Sequence, residues 1–125
     1  MTKAEALNKW FSSFGIPAYE SASVGTGDNA PALPYLTYDG VSDAFGNEIP
    51  LSCSLWYRGW SWVDVNAKAD EISRSLWQFG VVLKFDGGEI WIKRGSPFAQ
   101  SMGDDTDNLI KRKYINLIAE FISND

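Results

Sequence analysis

The sequence predicts an α+β domain: a mostly antiparallel sheet of about five to six strands with two helices packed on one face. Three observations lead there. Two segments repeat apolar residues at helical spacing, several others alternate or are rich in β-branched and aromatic residues, and turn formers separate them. With 125 residues, 45% of them hydrophobic, the chain can fill one core, so a single domain over 1–125 is expected.

The first helix is announced by Thr2 and Glu5 at capping-box spacing. Leu7, Trp10, Phe11 and Phe14 then share one helical face, and Gly15 and Pro17 stop it. Ala18 to Val24 and Pro34 to Asp39 read as extended, separated by the turn-rich "GTGDNAPA". Leu51 to Arg58 suits a pleated surface and is expected to pair antiparallel with Pro34 to Asp39, across a protruding Gly40 to Glu48 loop with Phe45 at its tip.

A second helix starts at Ser61 and Asp64. Trp62, Val65, Ala69, Ile72 and Leu76 form its inner stripe, Asp64, Lys68, Asp70, Glu71 and Arg74 its outer one, and Gly80 ends it. Trp62 and Trp77 are assigned to the core with that helix. In "VVLKFDGGEIWIKR" an Asp86-Gly87 turn sets Lys84 opposite Glu89, Leu83 opposite Ile90 and Val82 opposite Trp91. Val82 and Trp91 then face water or a partner. Gly95 to Asn108 reads as a loop. The closing "RKYINLIAEFIS" fits both periods, and its Tyr, Ile and Phe content favours a strand.

Composition narrows function. A net charge of -5 opposes a nucleic-acid grip, and the run Lys111-Arg112-Lys113 is broken at once by Tyr114 and Ile115. With one cysteine, Cys53, no internal disulfide framework forms, and a reduced intracellular compartment is expected. No stretch approaches ~18 consecutive apolar residues and no leader is visible, so neither membrane spanning nor export is expected. The chain has no histidine, which removes the usual proton shuttle and the commonest metal ligand, and no nucleophile or phosphate-loop motif occurs. No enzyme and no cofactor are expected. Asp104, Asp105 and Asp107 lack calcium-loop spacing and read as a solvated acidic turn.

What remains are sticky residues outside the expected core. Trp56 and Trp60 flank the corner between strand and helix, and Trp91 lies on the outer hairpin face. Phe98 and Met102 sit in the expected loop, with two readings open: they fold back to cover the core, or, beside Lys93, Arg94 and Gln100, they form an apolar anchor with a polar rim, the reading those neighbours favour.

The strings "SLWYRGWSW", "IWIKRGSPFAQSMGD" and "KRKYINLIAEF" together resemble the small minor capsid proteins of the head-to-tail gene cluster in long-tailed bacteriophages and prophages, specifically the tail terminator type. The likeness covers nearly the whole chain. It implies a structural subunit of a homo-oligomeric ring, typically a hexamer, located at the head-tail neck of the virion after assembly in the host cytoplasm. Its partners would be the tail tube protein and a head-completion or connector protein, with DNA passing through without specific binding. The resemblance implies contacts at Arg94, Phe98, Gln100 and Met102, then at Phe45, and a lumen role for Asp104, Asp105 and Asp107. Two alternatives stay open: a head-completion or connector protein on the capsid side, and a carbohydrate-binding module using Trp56, Trp60 and Trp91.

Overall fold

A computed structural model describes residues 1–104 and 106–123. Two helices, α1 (Lys3–Phe11) and α2 (Val63–Ser75), accompany six strands: β1 (Ala18–Glu20), β2 (Tyr35–Tyr38), β3 (Glu48–Arg58), β4 (Val81–Phe85), β5 (Gly88–Met102) and β6 (Ile110–Ser123). Their order in the sheet is β1-β2-β3-β6-β5-β4. Every pair is antiparallel except β1 with β2. The α+β class is as expected.

Helix α1 carries the predicted capping box: Thr2 Oγ1 accepts from Glu5 N at 3.1 Å while Thr2 N donates to Glu5 Oε1 at 3.0 Å. Its inner face buries Leu7 and Phe11, and Phe11 stacks on Tyr38 of β2 at 4.5 Å. This helix touches both β1 and β4, the two edge strands, so the sheet must curl around it. Helix α2 packs on the central strands through Val65, Ala69 and Ile72. The shared core is closed by the inward residues of the long strands, among them Leu51, Leu55, Ile90, Ile92, Ile115 and Phe121. Each such large side chain contributes about 2 to 3 kcal/mol by leaving water.

The final segment is a strand, and the period-2 reading of Ile115, Leu117, Ala119 and Phe121 is the one the fold uses, with all four buried. The hairpin registers Lys84 with Glu89, Leu83 with Ile90 and Val82 with Trp91 as expected.

Two expectations about loops need correction. The Gly95 to Asn108 loop is mostly strand: β5 runs on to Met102 and re-pairs with β6 from Ala99 after a bulge beyond Arg94. The bulge closes tightly, since a Cβ at Gly95 would sit 2.8 Å from Asn116 O, and Asn116 Nδ2 donates to Pro97 O at 2.9 Å. Apolar and polar residues within the bulge hid the resumed alternation. The Gly40 to Glu48 loop, expected to protrude, is pinned back by Gly46 N donating to Phe121 O at 2.8 Å, and β3 already begins at its last residue, Glu48.

Candidate assembly interface

Exposed large apolar residues cluster at the two ends of α2. Trp60 (85% exposed) and Val63 (69%) lie at its N-terminal end, and Trp77 (78%) and Phe79 (75%) beyond its C-terminus, with Val82 following on β4. A helix of 13 residues separates the two corners by roughly 20 Å.

The C-terminal corner is rigidly held. Trp77 has φ 52, in the left-handed region that a bulky side chain occupies only at a cost. Arg94 holds the turn in place: its Nη1 donates to Trp77 O, its Nη2 to Ser73 O and its Nε to Ser73 Oγ at 3.1 Å. From the next strand position but two, Trp91 Nε1 donates to Phe79 O at 2.6 Å. Gly80 completes the turn with φ 90, where a Cβ would meet Ile92 O at 2.3 Å. Side chains of β5 thus bind Ser73 O at the helix end and Trp77 O and Phe79 O in the turn beyond it, while Arg74 O and Leu76 O accept from Trp77 N and Gly80 N of the turn itself. Strain held at a solvent-facing aromatic points to a surface whose shape matters.

The N-terminal corner is lightly built. Ser61 Oγ accepts from Val63 N at 3.1 Å, and Gly59 N donates to Leu109 O at 2.8 Å. Trp60 itself makes no hydrogen bond among the described residues.

The predicted site residues are scattered over these surfaces. Trp60 is free as expected. Trp77, assigned to the core, is a correction: α2 ends at Ser75, so Trp77 falls off the inner stripe and outward, whereas Trp62 does pack against the core. Arg94 is also corrected, because its guanidinium faces inward to the helix end. Phe98 packs against the core, while Gln100 and Met102 are exposed on β5. Trp91 is half-buried, with Lys93 Nζ 4.2 Å from its ring centroid. Phe45 is 49% exposed and lies beside Lys3 Nζ at 5.3 Å. Phe79 and Val63 were not singled out from the sequence. Extending the inner stripe past Leu76 would have flagged Phe79, since it sits three positions on but beyond the helix end.

Trp56 belongs to a different surface, a cavity of about 510 Å³ on the outer sheet face. Arg112 lies over its ring at 4.6 Å and donates Nε to Ser54 Oγ at 3.1 Å, and Tyr35 stacks alongside at 6.3 Å. Trp56, Trp60 and Trp91 therefore do not form one stacking platform. The basic run disperses as strand alternation requires: Lys113 Nζ reaches Asn66 Oδ1 at 2.9 Å on the α2 side, and Lys111 is buried with its amine on Asn108 O.

Asp104 and Asp107 are engaged in their own turn. Asp104 Oδ1 accepts from the Thr106 hydroxyl at 2.7 Å and from Thr106 N at 2.8 Å, which holds its pKa below the usual range, and Asp107 Oδ2 pairs with Arg58 Nε at 3.3 Å. Asp105 lies outside the described residues. Burial pushes the Cys53 thiol well up, so it behaves as a small core hydrophobe. Among the described residues no group of three or more His, Cys, Asp or Glu side chains is placed to hold a metal ion, and no helix is long and apolar enough to cross a membrane.

A scan against protein-family models finds no match, and neither the curated proteins nor the solved structures contain a significant one.

Proposed function

We propose that this chain is a structural subunit of a tailed-phage neck, of the tail terminator type, which assembles as a ring on the tail tube and joins tail to head. One observation carries the reading: the pair of apolar corners at opposite ends of α2, Trp60 with Val63 and Trp77 with Phe79. Distinct patches at opposite ends of one helix suit head-to-tail contacts, which close into rings when the rotation permits, whereas a two-fold dimer needs only one self-complementary patch. The rigid clamp on Trp77 fits a surface that must present one shape to every neighbour. Met102 and Gln100, exposed on β5, are left for the rings above or below. The resemblance in "SLWYRGWSW", "IWIKRGSPFAQSMGD" and "KRKYINLIAEF" supplies the phage setting.

The stacking-module alternative has less support, because Arg112 covers a face of Trp56 and Trp91 is tied to Phe79. Electron microscopy of particles made without this chain tests the reading. Overlong or irregular free tails beside filled heads are the expected outcome. Normal-length free tails with leaking heads would move the protein to the connector side, and unaltered virions would overturn the assembly reading. Complementation with Trp77→Asp or Trp60→Asp is expected to leave tails uncapped, as disruption of the chain does.

A further inference from the structure

We propose that the groove between α1 and the open edge of β4 binds an extended acidic segment of a partner protein, adding it to the sheet as an extra strand. The groove has a volume of about 570 Å³ and is lined by Ala6, Lys9 and Trp10 of α1 and by Val82 to Phe85 of β4. That size lies within the range of ligand clefts.

Among the described residues β4 ends the sheet and pairs only with β5. The two-residue turn Asp86-Gly87 makes Phe85 and Gly88 a hydrogen-bonded pair, and in an antiparallel ladder such pairs recur at every second residue. Leu83 and Val81 therefore direct their N–H and C=O toward β5. Val82 and Lys84 direct theirs outward, as Asp86 does, whose outward N–H already donates to Met1 O at 2.8 Å. Met1 thus shows the pairing direction, and beyond it the edge is open at Val82 and Lys84 among the described residues.

An added strand would alternate its side chains. One set would enter the groove against Ala6, Trp10, Leu83 and Phe85, so those residues should be apolar. The other set would lie on the outer face near Lys84, while Lys9 stands on the α1 wall of the groove. Both lysines are exposed, and neither forms an ion pair among the described residues. This charge selects acidic residues in the partner. The groove's geometry holds whether or not copies of the chain form a ring, so its test needs no assembly.

The test follows backbone amide signals of the isotope-labelled full chain while adding the acetylated, amidated hexapeptide Glu-Val-Glu-Val-Glu-Val. The expected result is shifts centred on Val82 and Lys84 with their hydrogen exchange slowed about tenfold or more at saturation. The same peptide with Lys for Glu should bind about tenfold more weakly. Of two peptides N-methylated at alternate residues in opposite phases, one should lose binding. Val82→Pro should weaken binding about tenfold with the fold kept, since proline is tolerated on edges. Unmoved Val82 and Lys84 signals, equal binding of the Lys peptide, or equal binding of both methylated peptides would overturn the proposal. Protection of Val82 and Lys84 that grows with protein concentration alone would overturn it too, by assigning the edge to a second copy. If Val82→Pro unfolds, the methylated pair still decides.

Discussion

The two ends of helix α2 present similar cargo by opposite means. At the C-terminal end, Trp77 and Phe79 sit on a turn bound by Arg94, Trp91 and Gly80, with Trp77 forced to φ 52. At the N-terminal end, Trp60 is more exposed still, yet it rests on ordinary backbone with one serine bond and one backbone bond, Gly59 N to Leu109 O, beside it. The comparison teaches that one corner is held by the side-chain donors of Arg94 and Trp91 from a neighbouring strand, whereas the other is anchored, among the described residues, only through the residues flanking its tryptophan. A head-to-tail contact gains from the held corner, because a side chain fixed before association loses less entropy on binding.

The largest effect that would break this contrast is expected from Arg94→Met. It removes three hydrogen bonds from the turn after α2 and takes from Trp77 O its donor, while Ser73 O keeps only Leu76 N, costing about 2 to 4 kcal/mol. Urea denaturation measures this, and Arg94→Lys should recover only part, since an ammonium lacks the guanidinium fork. A cost near zero would mean the corner is not clamped.

Trp77→Gly sharpens the same point with the opposite sign. Removing a bulky residue from the left-handed region should stabilise the isolated chain by about 1 kcal/mol while reducing assembly, read by melting and by particle counts. Stability and function should part company here. Trp60→Ser comes next, with a stability change within about 0.5 kcal/mol, because an exposed side chain on unstrained backbone gives up little. Its effect should appear in assembly alone.

The smallest effect is the response to acid. The backbone N–H of Thr2 lowers the pKa of Glu5, the Lys93 amine that of Glu48, and the Thr106 hydroxyl that of Asp104. A carboxyl whose folded pKa lies below its unfolded value adds stability above that unfolded value and loses it as pH falls through the folded one. Stability should therefore decline gently below the ordinary glutamate value of 4.5. It should stay nearly flat between about pH 6 and 8, as the chain has no histidine. Thermal melts across this range check it, and a step near neutrality would contradict it.

Much of the scaffold was legible along the chain because its signals are local. The capping box of α1, the Asp86-Gly87 hairpin and the inner stripe of α2 each depend on residues within a few positions of one another. The candidate interface was less legible. Trp60 stood out, but Arg94 looked like a rim charge and Trp77 like core, and both assignments reversed once the helix end met β5. For Phe98, core cover and interface contact both stayed open along the chain, because the bulge at Gly95 to Pro97 concealed a strand that resumes at Ala99, and the fold packs it on the core.

By itself, then, the sequence determined the α+β class, the pairing of the hairpin and the absence of histidine chemistry, since periodicity, turn residues and composition act without regard to distant partners. Only the tertiary structure decided that the sheet curls around α1, that Arg94 serves the end of α2, and that Trp77, Phe79 and the edge of β4 face outward. Those outcomes depend on contacts between residues far apart in the chain, where a helix stops against a strand and which strand is left at the edge, and local patterns carry no information about either.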